Sequence, residues 1–270
     1  MTNLTELLGG IQSDADGHRV SAPSAWTQGR TLYGGISAAL CLEAVARDHP
    51  DLPQLRSAQI AFIGPAGGEV TMSTTLLRRG KSSAFVNSDL RVDGAVATRA
   101  LFCFGGDRSS IDHARLEPAP NLPRPSECPP FFKPDSRPNF AQNFDMRLAS
   151  GAPPISGASD AENFIWVRHE DSKAPLNMVS LLALADAAPP AAMSLFTEPV
   201  MISTMTWTVD VLAPDALSPD GWWLCRSHAE TISNGYAAQA MSIWSSDGVP
   251  VILGRQMVAS SRHDNNRKCA

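Results

Sequence analysis

The sequence predicts an α+β protein made of two tandem repeats, each a curved antiparallel sheet wrapped around a central helix. Two observations lead to this prediction. Each half of the chain has an apolar helix followed by segments of strand character, and the last two segments are joined by Asp93-Gly94 in one half and Asp247-Gly248 in the other. Asp-Gly between alternating segments is a strong hairpin signal. Helices do not alternate with strands, which disfavours a parallel sheet of βαβ units.

In the first repeat, the central helix is predicted over residues 34–46, an Ala- and Leu-rich run that starts with Gly34 and Gly35. Its apolar positions cover most of the helix circumference, as is required of a helix that a sheet surrounds. The strands predicted after it span residues 57–63, 69–78, 84–92 and 95–104. We assign residues 1–115 to this N-terminal repeat.

The C-terminal repeat is predicted over residues 142–262 and has the same order of elements. Its helix is placed between Pro175, a residue type favoured in the first turn, and Pro189-Pro190, which stop a helix. The strands predicted after it span residues 203–212, 222–231, 236–245 and 249–259. The proline-rich residues 116–141 are predicted to form a connector, and the polar residues 263–270 a tail.

Composition excludes several classes of function. The net charge of −5 argues against a nucleic-acid-binding surface. Residues 1–20 do not resemble a signal peptide, and prolines and polar residues interrupt the most apolar stretch, so we expect a cytoplasmic protein that does not enter a membrane. The histidines and cysteines are dispersed, and neither a G-x-S-x-G nor a nucleotide-binding glycine motif occurs. We therefore expect no metal and no organic cofactor.

Asp186 is the first candidate for chemistry, because it is the only charged residue between Lys173 and Glu198. It lies in the predicted last turn of the second helix, where the negative end of the helix dipole disfavours a carboxylate. Burial disfavours the ionised form as well, so both effects raise the pKa of Asp186. A carboxyl group with a raised pKa is a candidate base. The alternative is a structural acid that reaches solvent or caps a backbone group.

Gln256 and Thr204 are polar residues in predicted strands that otherwise look buried. Gln256 stands at the same distance after Asp247-Gly248 as Phe102 stands after Asp93-Gly94. An amide in place of an aromatic residue indicates that the second repeat has a task that the first lacks. A core amide that hydrogen-bonds to the backbone is the alternative for Gln256, and an ordinary strand threonine is the alternative for Thr204.

Asp186, Thr204 and Gln256, on a helix, on the following strand and on the last strand, resemble the site of the TesB-type double hotdog acyl-CoA thioesterases. The resemblance implies that these three residues form a hydrolytic site in a double hotdog fold. Asp186 would act as general base toward a water molecule that Thr204 and Gln256 hold, since a hydroxyl and an amide can both donate and accept hydrogen bonds.

The resemblance covers nearly the whole chain and includes Gly34-Gly35 and the segments 144–147 and 166–168, which open the second repeat. The backbone N–H groups near Gly34 and Gly35 are candidates for binding the oxyanion that develops on the substrate. One segment departs from the family: residues 206–211 read Thr-Trp-Thr-Val-Asp-Val instead of the D-H-x-x-W-F-H pattern of its better-known members. The departure leaves the acyl-chain preference open.

The function implied by the resemblance is hydrolysis of an acyl-CoA to a free acid and CoA. The sequence leaves two alternatives: a double hotdog that binds an acyl chain or acyl-CoA without turnover, and an enoyl-thioester hydratase or dehydratase, which usually needs a histidine or a second acid. Neither the acyl length nor the choice of CoA or a carrier protein as thiol follows from the sequence. We expect a homodimer or a larger homo-oligomer, because curved sheets leave an edge and faces that commonly pair.

Overall fold

A computed structural model of the chain describes residues 2–111, 113, 118–133, 137–216 and 218–262. The predicted tail and parts of the predicted connector lie outside these residues. The helices are α1 (Leu4–Gly9), α2 (Gly34–Asp48) and α3 (Met178–Ala185). Short 3₁₀ helices lie at Ser24–Trp26, Pro125–Glu127, Asn139–Asn143 and Ala191–Leu195.

The eight predicted strands are present, each within three residues of its predicted limits, and the described residues form six more that were not predicted. In the first repeat they are β1 (Gln12–Asp14), β2 (Gly17–Ala22), β3 (Thr27–Gln28), β4 (Thr31–Leu32), β5 (Leu55–Phe62), β6 (Gly68–Arg79), β7 (Ser83–Val92) and β8 (Ala95–Gly105). In the second repeat they are β9 (Phe144–Gly151), β10 (Glu162–His169), β11 (Val200–Val211), β12 (Trp223–Ser233), β13 (Tyr236–Ser245) and β14 (Pro250–Arg262).

Twelve of these strands form one antiparallel sheet in the order β1-β2-β6-β7-β8-β5-β11-β14-β13-β12-β10-β9, and β3 pairs with β4. Each repeat supplies one half of the sheet. The halves meet where β5 pairs with β11, with Ile60 opposite Trp207. Both predicted hairpins are present, as β7–β8 and as β13–β14. The predicted α+β arrangement of two tandem repeats is confirmed.

The two long helices lie against the inner face of the sheet and against each other. In α2, apolar and small residues are buried on most sides, as predicted for a surrounded helix. The N-terminal end of α2 meets the C-terminal end of α3, where a Cβ atom added at Gly35 would lie 2.7 Å from the Ala183 carbonyl oxygen. No helix within the described ranges is long and apolar enough to span a bilayer.

Helix α3 is shorter than predicted, with two turns instead of three. Its N-cap is Asn177, whose side-chain oxygen accepts a hydrogen bond from the Ser180 backbone N–H at 3.1 Å. Pro175 therefore precedes the helix instead of lying in its first turn, because the asparagine supplies a stronger start signal. Asp186 is the C-cap residue and not part of the last turn. The carboxyl group thus lies just beyond the negative end of the helix.

Part of the connector packs onto the core through aromatic side chains. Phe131 and Phe140 are buried, and the Phe140 ring stacks on Tyr33 with 4.3 Å between ring centroids. This packing orders an irregular, proline-rich segment without a strand or an α-helix. The proposed connector limits, residues 116 and 141, stay a prediction.

A chain of side-chain hydrogen bonds attaches the edge hairpin β1–β2 to the end of α2. Ser13 Oγ lies 2.8 Å from His18 Nδ1, and His18 Nε2 lies 2.9 Å from Asp48 Oδ1. The Thr74 hydroxyl on β6 donates to the other Asp48 oxygen at 2.6 Å. His18 is buried, so its polar atoms are satisfied within the protein. This Ser-His-Asp set acts as a structural tether.

Candidate active site

Asp186 lies at a contact between the two repeats, directly after α3 and against the start of α2. A Cβ atom added at Gly34 would lie 2.6 Å from Asp186 Oδ2 and 3.0 Å from Phe62 Cζ. A Cβ atom at Gly35 would clash with the Tyr33 hydroxyl and with the Ala183 carbonyl oxygen. The glycine pair is therefore required by the close approach of α2 to Asp186 and to α3.

The environment of Asp186 raises the pKa of its carboxyl group into the neutral range. Burial raises the pKa of Asp186 to about 7, and hydrogen bonds from the Gln256 side chain and the Gly35 backbone limit the rise by stabilising the carboxylate. The residue nevertheless keeps part of its surface accessible. A carboxyl group that is half ionised near pH 7 can accept a proton during a reaction.

Gln256 is joined directly to Asp186. Its Nε2 atom donates to Asp186 Oδ1 at 2.5 Å, a bond between β14 and the end of α3. Gln256 is buried on the inner face of the sheet, opposite Trp207 on β11 and opposite Gln239 on β13. The structure thus brings together Asp186 and Gln256, two of the three candidate residues.

Thr204 shares the inner face of the sheet with Gln256. It lies opposite Val258, which is buried two residues beyond Gln256. The register of β11 shifts between Thr204 and Thr206, and this bulge lets Thr204 and Trp207 face the same side. Within the described residues, no hydrogen bond joins the Thr204 side chain to Asp186 or Gln256. Its catalytic role stays a prediction.

Tyr33 is hydrogen-bonded to the last turn of α3. Its hydroxyl donates to the Ala183 carbonyl oxygen at 2.8 Å. Burial and, after it, the charge of Asp186 raise the pKa of Tyr33 well above its usual value, so the side chain stays a neutral donor. This bond satisfies a carbonyl group of the last helical turn, which has no partner within the helix. It fixes the backbone three residues before Asp186.

The Gly35 backbone amide hydrogen-bonds to Asp186. At this end of α2 the positive end of the helix dipole faces the carboxylate, which offsets part of the cost of burying the charge. The structure thus assigns the glycine pair a steric and electrostatic role toward Asp186. The predicted binding of an oxyanion by the backbone N–H groups of Gly34 and Gly35 stays a prediction.

Gln239 is a site residue that the sequence analysis missed. Its Nε2 atom donates to Gln256 Oε1 at 3.0 Å, and its Oε1 atom accepts from the Ala191 backbone N–H at 2.7 Å. The sequence does contain a signal for Gln239, because it lies between Ala237 and Met241 on the inward face of β13, where apolar residues are expected. A buried amide among apolar residues on the inward face of a strand is the same signal that identified Gln256.

A surface cleft of the protein lies apart from this site. A cleft of about 550 Å³ lies at the other end of α3, with Asn177 and Met178 in its lining. Charged residues of both signs, among them Lys173 and Asp220, share that lining with Trp223. Neither Asp186 nor Gln256 lines this cleft, so the candidate site and the cleft are separate. No group of three or more metal-binding side chains occurs in the part of the chain that is described.

Comparison with known proteins gives the family. Residues 22–105 match the model of the acyl-CoA thioesterase N-terminal domain, and residues 125–260 match that of the acyl-CoA thioesterase C-terminal domain. No functionally curated protein matches the chain by sequence.

Solved structures match over nearly the full length. A conserved protein of unknown function with a hot dog fold from Alicyclobacillus acidocaldarius is 28% identical, covers 98% of this chain and 100% of its own, and has a TM-score of 0.87. Acyl-CoA thioesterase II from Mycobacterium marinum is 16% identical over 95% of this chain and 98% of its own, with a TM-score of 0.75. The tesB protein of Mycobacterium avium subspecies paratuberculosis is 15% identical over 96% and 100%, with a TM-score of 0.77. The double hotdog fold is confirmed.

Proposed function

We propose that this chain, which belongs to the TesB-like, double hotdog acyl-CoA thioesterase family, hydrolyses an acyl-CoA to a free acid and CoA. One observation carries the proposal. A carboxyl group whose pKa is about 7 lies at the junction of the repeats, 2.5 Å from the amide nitrogen of Gln256. A base with this pKa is close to the optimum for removing a proton from water at neutral pH.

The reaction needs a water molecule, an acceptor for its proton and a donor for the developing charge. In the ionised state, Asp186 accepts a proton from the water as the water oxygen bonds to the thioester carbonyl carbon. The C–S bond then breaks, and the proton held by Asp186 passes to the departing thiolate. Asp186 returns to its ionised form, and no covalent enzyme intermediate is needed.

Gln256 and Thr204 are proposed to hold the reactants in this step. Gln256 already donates one N–H to Asp186, and its second N–H is available to the water or to the carbonyl oxygen. Thr204 faces the same side of the sheet and supplies a hydroxyl group. Donors placed in advance where charge develops commonly account for a large share of a rate enhancement.

The experiment is thiol release from a series of acyl-CoAs of increasing chain length, with wild type and Asp186→Asn. The variant keeps the shape of the side chain and removes the base, so we expect a loss of about 100-fold or more in kcat. Asp210→Asn is the matched control, because Asp210 is an exposed acid on β11. Its activity should equal that of wild type.

A wild-type protein that binds acyl-CoA and releases no thiol at any chain length would contradict the proposal. That outcome would favour binding without turnover, the alternative from the sequence. This alternative predicts an Asp186 that is exposed or distant from Gln256, which the bond of 2.5 Å between them does not support. Acyl-CoA as partner and a homo-oligomeric state remain part of the proposal.

A further inference from the structure

Three hydrogen bonds in series lead from the protein backbone to Asp186. The Ala191 N–H donates to Gln239 Oε1 at 2.7 Å, Gln239 Nε2 donates to Gln256 Oε1 at 3.0 Å, and Gln256 Nε2 donates to Asp186 Oδ1 at 2.5 Å. Both glutamines are buried, with 1% and 4% of their surfaces exposed. Bulk water therefore has little access to the bond between the two glutamines.

The direction of the series follows from its first member. A backbone N–H can only donate, so the atom of Gln239 that faces Ala191 must be the oxygen. The Gln239 nitrogen then faces Gln256, and a nitrogen that carries two protons requires an oxygen opposite it. The oxygen of Gln256 is thereby turned toward Gln239, and its nitrogen is turned toward Asp186.

The position of Ala191 is itself well defined. Ala191 is the first residue of the 3₁₀ helix Ala191–Leu195, directly after Pro189 and Pro190. Proline fixes its own φ angle, so the backbone at this point has little freedom. The Ala191 residue is fully buried. A rigid donor therefore anchors the series at its far end.

From this geometry we propose that Gln239 is a positioning residue, which orients the Gln256 amide so that Gln256 acts toward Asp186 and the reactants only as a hydrogen-bond donor. The proposal rests on the proposed function of the same site. The proposal changes the role of Gln256. The sequence analysis allowed its side chain both to donate and to accept hydrogen bonds toward the reactants. Proton acceptance then belongs to Asp186, while the free N–H of Gln256 points toward the water oxygen or the carbonyl oxygen.

The first test uses Gln239→Met, which replaces the amide by an apolar side chain of similar length. Without Gln239 the Gln256 amide rotates freely, and its bond to Asp186 weakens. We expect kcat to fall about tenfold and the acidic limb of the pH profile to move to higher pH. Gln59→Met is the matched control, because Gln59 is exposed on β5; its pH profile should not move.

A double-mutant cycle separates positioning from general support. If Gln239 acts through Gln256, the double variant Gln239→Met, Gln256→Met should have the same kcat as the single variant Gln256→Met. An equal tenfold loss in both backgrounds would overturn the proposal. So would a Gln239→Met protein whose melting temperature falls while its kcat and pH profile stay those of wild type.

An NMR measurement on wild type covers the case in which these variants do not fold. The side-chain NH₂ resonances of Gln256 should shift with pH at the same midpoint as the Asp186 carboxyl resonance, because the nitrogen faces the carboxylate. If the Gln256 resonances ignore the Asp186 titration, the proposed orientation is wrong. This measurement needs no turnover, so it remains decisive even if the thiol-release assay contradicts the proposed function.

Discussion

The two repeats place different residue pairs at equivalent positions of the sheet. In the first repeat, Phe102 on β8 lies opposite Val86 on β7, and in the second, Gln256 on β14 lies opposite Gln239 on β13. All four residues are buried. The first pair contributes apolar packing, and the second forms a hydrogen bond. The same core position is thus apolar in one repeat and forms part of the candidate site in the other.

The first repeat still contributes to the site, through its helix. Gly34 and Gly35 open α2 and allow its positive end to approach Asp186, which ends α3. The second repeat supplies the carboxyl group and both amides. The candidate site therefore exists only where the repeats meet, and neither repeat contains it alone.

The strongest test makes the second repeat resemble the first. The double substitution of Gln239→Val and Gln256→Phe installs the apolar pair and removes the donor beside Asp186. Since loss of one donor to a developing charge costs about 100- to 1000-fold in kcat, we expect a loss in that range. Thiol release measures it, and the circular dichroism spectrum reports whether the fold is kept. A folded variant within about threefold of wild type would show that the amide pair has no catalytic part.

The next test concerns the contribution of the first repeat. Gly34→Ala places a methyl group within 2.6 Å of Asp186 Oδ2, so the carboxylate or α2 must move. We expect a loss of activity of about 10- to 100-fold, since a displacement of about 1 Å in a site can cost 100-fold. Gly9→Ala is the control, because a Cβ atom at Gly9 in α1 meets nothing within 4 Å. Equal activity of both variants would contradict the requirement for close approach.

The pH dependence follows from the pKa of Asp186, about 7. The ionised carboxylate is the base, so kcat/KM should rise with pH and reach half of its maximum near pH 7. Rate measurements between pH 5 and 9 check this limb. A rate that is flat across this range would place the essential ionisation elsewhere.

Stability should change in the opposite direction. The folded-state pKa of Asp186 lies above its unfolded value of about 3.9, so its contribution to stability is fully present below about pH 3.9 and is lost progressively as pH rises from there through about 7. Asparagine does not ionise, so the Asp186→Asn variant does not lose this stability as pH rises. We expect the variant to gain more melting temperature relative to wild type at pH 8 than at pH 5, by about 2–4 °C for each 1 kcal/mol. An equal difference at both pH values would contradict the link to ionisation.

Sequence patterns predicted the repeats and their strands well, because alternation and turn chemistry are local. Strand β13 has the predicted limits, and the Asp93-Gly94 turn joins β7 to β8 as predicted. The start of α3 was misplaced, since Pro175 and Asn177 are both start signals and it is the Asn177 side chain that accepts a hydrogen bond from a backbone N–H of the first turn. Gln239 was missed because its significance depends on its side-chain bond to Gln256 and on the bond from Gln256 to Asp186, 70 residues away, which a local pattern does not show.

The smallest effect is expected for Thr204, which lies on the same face as Gln256 without a hydrogen bond to it in the described structure. Thr204→Val keeps the shape and removes the hydroxyl, and we expect a loss of up to about tenfold in kcat, typical of one hydrogen bond. Thr208→Val is the control, because the exposed Thr208 hydroxyl donates only weakly to the Arg255 carbonyl, at 3.5 Å. A loss for Thr204→Val as large as that for Asp186→Asn would mean that the hydroxyl is essential. The bulge in β11, which turns Thr204 inward, would then be as necessary to the site as the amide pair of the second repeat.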